Sequence, residues 1–125
     1  MAQCSPLDGR IVEGRARLFL KFLGWRIVAH NVRAAYEYTV GAKTTGEIDI
    51  IAHRRSVVAF IEVKARSHIN DAMGALTPRQ QHRITRAAEA WLGRNPSFAE
   101  SFIRFDCIVC DKHGLLTHIP DAWRP

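Results

Sequence analysis

A chain of 125 residues suits one domain around one core, and with 47% hydrophobic and 24% charged residues it is too apolar to stay disordered. No apolar run nears the ~18 residues of a membrane helix, residues 1–10 hold no apolar stretch of signal-peptide length, and three cysteines exclude a disulfide scaffold and suit the reducing cytoplasm. A net charge of +6 and a pI near 9.8 point to a polyanionic partner, nucleic acid first, although charge alone separates neither DNA from RNA nor binding from cutting.

The first helix is expected over Asp8–Leu23, with Asp8 as its N-cap and Gly24 as its stop. Val12, Ala16, Phe19, Leu20 and Leu23 form its apolar stripe. Trp25–Arg33 reads as a strand, and Ala34–Gly46 as a loop or irregular hairpin. Glu47–His53 and Val57–Ala65 read as an antiparallel pair turning at Arg54-Arg55. With His53 opposite Ser56, one face carries Ile48, Ile50, Ala52, Val57, Ala59, Ile61 and Val63 and must be core. Arg66–Leu76 reads as a polar loop. The second helix opens with Thr77 as N-cap, Pro78 in its first turn and Gln80 completing a capping box. Ile84, Ala87, Ala88 and Trp91 are its buried stripe, and Gly93 its stop. Phe102–Cys110 is a strand, Asp111–Gly114 a turn, and Leu115–Ile119 a last strand before Pro120. The second helix then links two parallel strands, a crossover right-handed in ~98% of cases. The fold class is an α/β sandwich on a mixed sheet with helices on both faces.

The opposite face of the hairpin carries the chemistry. Glu47, Asp49, Glu62 and Lys64 cluster at one end, and Ile51, Val58 and Phe60 occupy the other. A face covered at one end and open at the other suits a cleft. In this register Asp49 lies diagonal to Glu62, ~7–8 Å away at the backbone, so both carboxylates can converge on one ion. Mg²⁺ prefers such oxygen ligands, and Lys64 on the same face can orient a metal-bound water. The competing reading is a solvated cluster of weak ion pairs. Glu13 borders the apolar stripe of the first helix and can reach into the same cleft, against an ordinary ion pair with Arg17. Gln80 and Gln81 lie at a helix N-terminus, which suits a phosphate. Arg79, Arg83 and Arg86 share an outward arc, either solvated or contacting phosphate.

The segments Gly46-Glu47-Ile48-Asp49-Ile50-Ile51-Ala52, Phe60-Ile61-Glu62-Val63-Lys64-Ala65-Arg66 and Arg104-Phe105-Asp106 carry a resemblance. Glu13 with Ala16, Asn31 with Arg33, and His118-Ile119 add to it. Over Gly9–Trp123 the chain resembles the bacterial YraN-like family, distantly similar to archaeal Holliday junction resolvases within the PD-(D/E)XK, restriction-endonuclease-like superfamily. The resemblance implies an α-β-β-β-α-β core and a metal-dependent phosphodiesterase using Mg²⁺ or Mn²⁺. It makes Asp49 and Glu62 the ligands, Lys64 the catalytic lysine and Glu13 the helix carboxylate. DNA is the implied substrate, including branched or recombination intermediates, with Gln80, Gln81, Arg79, Arg83, Arg86 and Arg66 as candidate contacts. A homodimer is compatible with this reading. Two departures stand out: Gln80 replaces a frequent lysine, and the stretch between Arg33 and Gly46 is longer than usual.

Cys107 and Cys110 form C-x-x-C, but three residues apart on a strand they face opposite ways and read as structural. No zinc-finger spacing, H-E-x-x-H, P-loop or G-x-S-x-G is present. The rival to a nuclease is a non-catalytic nucleic-acid-binding module on the same fold.

Overall fold

In a computed structural model, which describes residues 8–125, the chain runs α1 (Gly9–Phe22), β1 (Arg26–Thr39), β2 (Ala42–Arg54), β3 (Val57–Ala65), α2 (Ile69–Ala75), α3 (Pro78–Arg94), β4 (Phe102–Cys110) and β5 (Leu116–Trp123). A 3-10 turn, Pro96–Phe98, joins α3 to β4. Cys4 and the rest of residues 1–7 lie outside the described residues. Among the described residues, no helix is long and apolar enough to cross a membrane. The five strands stand in sequence order, and only β3 and β4 are parallel. This is the restriction-endonuclease-like α/β architecture expected from the sequence.

Helix starts follow their capping residues. The Asp8 carboxylate accepts the Arg10 N–H at 2.9 Å, and the Thr77 hydroxyl accepts the Gln80 N–H at 3.2 Å. α1 packs Ala16 and Leu20 on Ile50, Ala52, Ala59 and Ile61. α3 packs Ile84, Ala87 and Ala88 on the other face, over Ile51, Val58, Phe60 and Phe105. β3 is therefore covered on both sides, as a central parallel strand requires. Phe60 meets Trp91 edge-on and stacks on Phe105, which stacks on Trp123.

Six expectations need correction. The hairpin pairs Arg54 with Val57 and His53 with Val58, two residues from the assumed register. A shift of two leaves every side chain on its face, whereas a shift of one would invert them. Ile48 is the exception: it joins the α3-side core with Ala34 and Tyr36. Its pair with Val32 is separated from the His30–Ile50 pair by Asn31, whose φ of +51° kinks β1 there. Ala34–Gly46 is no loop but the outer part of a long β1–β2 hairpin. Arg66–Leu76 contains α2, whose buried Ala72 packs on Cys107 and Val109. α3 runs through Gly93 to Arg94, and β5 through Pro120 to Trp123, since an edge strand tolerates a missing N–H.

The outer hairpin depends on Gly46. A Cβ there would lie 2.9 Å from the Ala87 Cβ and 2.9 Å from the Arg83 carbonyl. Gly46→Ala is expected to cost about 1–3 kcal/mol through overpacking, read as a lowered Tm in thermal denaturation. An unchanged Tm would show that α3 can retreat freely. Cys107 and Cys110 are buried free thiols, and burial pushes Cys107 up to about 12, consistent with structural roles.

Candidate active site

The β2–β3 ladder ends at Ile50–Ile61, so the strands part at the next position, where Asp49 and Glu62 stand. Into this gap opens a cleft of about 650 Å³. Glu13 of α1, Glu47 and Asp49 of β2, and Glu62 of β3 line it with Arg33 and Thr45 of the hairpin, the N-cap Thr77, and Arg79, Gln80 and Arg83 of α3.

The carboxylates are held by specific contacts. Asp49 Oδ2 accepts the Val63 N–H at 2.8 Å, turning it across to β3. Glu62 Oε2 accepts from Gln80 Nε2 at 2.7 Å and pairs with Lys64 Nζ at 3.1 Å. Burial, then the hydrogen bond and the charge of Asp49, push Glu62 from 4.5 up to about 8, against the opposing pull of Lys64. Glu13 is raised too, by burial first and then by Asp49, and it forms no ion pair with Arg17. Among the described residues no three His, Cys, Asp or Glu side chains converge as a ready metal cage. Mutual repulsion of two crowded carboxylates is nevertheless what a hard cation would relieve, and Mg²⁺ keeps several waters beside one or two carboxylates. Asp49 and Glu62 could hold such an ion.

Residues 12–110 match the family described as "Uncharacterised protein family UPF0102". The chain belongs to UPF0102. A UPF0102 protein of Rhodopseudomonas palustris strain BisB5 is 46% identical over 92% of this chain and 81% of its own length. UPF0102 protein amb4503 of Paramagnetospirillum magneticum is 39% identical over 98% and 91%. UPF0102 protein bll0669 of Bradyrhizobium diazoefficiens is 42% identical over 92% and 80%. The resemblance to the YraN-like family thus holds at the level of UPF0102, whose matched span includes every cleft residue named above.

Within this UPF0102 fold, Asp49, Glu62, Lys64, Glu13, Gln80, Arg79 and Arg83 come together. Gln80 does not close a capping box; its side chain goes to Glu62 instead. Gln81 turns away, donating to the Leu76 carbonyl at 2.9 Å. Arg86 is tied to the hairpin: it donates to the Glu37 carbonyl at 2.7 Å, lies over the Tyr36 ring and pairs with Glu89. Arg66 is exposed, bonds its neighbour's carbonyl and does not line the cleft. Arg33 and Thr45 were not anticipated as cleft residues, because only the pairing of β1 with β2 brings them there.

A second polar knot lies on β4. Asp106, fully buried, accepts from Arg104 Nε and Nη2 at 2.8 Å each and from the Asp121 N–H at 2.9 Å, and meets His118 Nε2 at 2.8 Å. Arg54 and Arg104 both lie over the Trp25 ring, so this knot also ties β5 to the start of β1.

Proposed function

We propose that this protein is a metal-dependent endonuclease of the PD-(D/E)XK type, hydrolysing phosphodiester bonds in DNA in the cytoplasm. The observation that carries the reading is the carboxylate pair Asp49–Glu62, set where β2 and β3 part and faced by Lys64 and Gln80. A bound Mg²⁺ or Mn²⁺ would supply Lewis acidity toward the phosphate and a water of lowered pKa. Asp49 and Glu62 would hold that ion. Lys64, which stands beside Glu62, would orient the attacking water and offset charge on the phosphate. Glu13 would accept a hydrogen bond from the same water. Arg33, Arg79 and Arg83 line the cleft and would contact the phosphates.

The second reading is a binding module without turnover. It is favoured by one observation: Gln80 and Lys64 already occupy Glu62 Oε2. The decisive assay is purified protein with Mg²⁺ or Mn²⁺ on linear, single-stranded and four-way-junction DNA, beside Asp49→Asn. Cleavage by the parent but not by the variant supports the nuclease. Equal cleavage by both removes this site from consideration, and salt-sensitive binding without cleavage under either metal favours the module.

Binding itself has an expected salt signature. Three arginines neutralising phosphates release counterions, so log affinity against log salt should slope at about −3. Arg83→Gln should flatten that slope by about one, measured by fluorescence anisotropy over a salt series. A slope near zero would count against any nucleic-acid role.

A further inference from the structure

Beyond Ile50 the β1–β2 hairpin leaves β3 and continues as a two-stranded arm to its turn at Val40-Gly41. One face of the arm is closed, with Ala34, Tyr36, Gly46 and Ile48 buried on the side of α3. Arg86 and Arg94 of α3 clamp its edge carbonyls at Glu37 and Ala35. The other face is open: Arg33 pairs with Glu47, Ala35 with Thr45 and Glu37 with Lys43, all exposed. Arg33, Thr45 and Glu47 are at the same time cleft wall. A continuous solvent-facing surface therefore runs from the carboxylates to the turn.

The tip of this arm carries a bulge and two exposed apolar side chains. Glu37 pairs with Lys43 and Thr39 with Ala42, so Tyr38 is an extra residue with no partner, a bulge. Bulges re-aim a side chain and gather beside active sites. Tyr38 is 57% exposed, although Tyr36 two residues earlier is buried. Val40 is the first of the two turn residues, and the positive φ of the turn falls on Gly41, so nothing in the turn calls for a valine, yet its side chain is 100% exposed. The turn is nevertheless fixed, because the Gly41 N–H donates to Glu37 Oε2 at 3.2 Å and Gly41 takes the φ of +78° that glycine adopts freely. A largely exposed aromatic ring and a fully exposed branched aliphatic side chain thus stand on a braced support.

We propose that this tip contacts bases of the substrate: Tyr38 stacks on a nucleobase outside the duplex stack, and Val40 packs beside it. The proposal rests on the reading of the cleft as a DNA site and adds a substrate class, DNA with a single-stranded segment near the cut. Its reach follows from strand geometry. From the Arg33–Glu47 pair to the turn is roughly six residues at ~3.3 Å each, or about 20 Å. That span corresponds to about six nucleotides of one strand.

The test is metal-free binding, in EDTA, of the parent, Tyr38→Ala, Tyr38→Phe and Val40→Ser to a fluorescein-labelled single strand and to its duplex. Stacking of one base is strong enough that Tyr38→Ala should weaken single-strand binding about tenfold. Duplex binding should change less than about twofold, Tyr38→Phe should restore the parent affinity, and Val40→Ser should give a smaller loss. A 2-aminopurine in the strand should be quenched by the parent and not by Tyr38→Ala. If Tyr38→Ala binds the single strand as the parent does, or weakens both DNAs equally, the tip proposal falls while the cleft reading stands. If the parent binds neither DNA at any salt concentration, the cleft reading falls and the tip proposal with it.

Discussion

Between pH 5 and pH 8 the metal-free protein is expected to lose a few kcal/mol of stability, with part of the loss removed by Asp49→Asn and the share due to burial remaining. The cause is Glu62, raised from 4.5 to about 8 chiefly by burial and then by Asp49. A group whose folded pKa is raised contributes its stability fully below the unfolded value. That contribution is lost as pH climbs through the folded one, here over the window from 4.5 to about 8. At ~1.4 kcal/mol per unit the full shift is worth a few kcal/mol, a large share of a typical ~5–15 kcal/mol domain. Urea denaturation at the two pH values, in EDTA and in Mg²⁺, measures it. Mg²⁺ should restore stability at pH 8 and do little at pH 5, since a ligand of the folded state stabilises by mass action. Asp49→Asn should lessen the pH dependence without removing the part due to burial, and should abolish the Mg²⁺ response together with cleavage. A parent whose stability ignores both pH and Mg²⁺ would show that the two carboxylates are not coupled.

Asp106→Ala is expected to destabilise the fold by about 3–5 kcal/mol, toward the lower end because Arg104 is partly solvated. The loss has a specific origin. Burial alone would push this carboxyl up, but hydrogen bonds from His118 and Arg104, with the Asp121 N–H, outweigh burial and hold it below 3.8. Its removal leaves the Asp121 N–H and the His118 ring nitrogen without their acceptor in a part-buried setting. The linkage sign is opposite to that of Glu62. A lowered pKa contributes stability above the unfolded 3.8 and loses it as pH falls through the folded value. The parent should therefore weaken in strong acid more steeply than the variant. Chemical denaturation at pH 7 and at pH 3 reads both effects, and a cost under about 1 kcal/mol at pH 7 would place the knot among ordinary surface pairs.

The inner hairpin was legible because its period survives error. Alternation put Asp49, Glu62 and Lys64 on one side, and the actual two-residue offset preserved that side. The outer hairpin was not legible. Its buried positions are Ala34, Tyr36, Gly46 and Ile48, an unconvincing apolar face until α3 is laid against it. α2 was hidden for a similar reason, since its seven residues bury only Ala72. The role of Gln80 fell between two local rules. Its position after Thr77 predicted reciprocal capping, and only the approach of α3 to β3 offers its amide the Glu62 carboxylate instead. The residues quoted around Asp106 and His118 carried no assigned task, because their meeting needs the β4–β5 pairing.

The one parallel pair of strands has a kinetic consequence. β1, β2 and β3 are joined by short turns and can zip as successive hairpins on the microsecond scale. β3 meets β4 only across partners some 45 residues apart, so closing that loop through α2 and α3 is the entropically slow step. Asp49 and Glu62 then face each other early, while both are still hydrated. The burial that raises Glu62 is imposed last, when α3 brings Gln80 down over it. Alkaline, metal-free conditions should therefore retard the final docking of the crossover and leave hairpin formation at its ordinary speed.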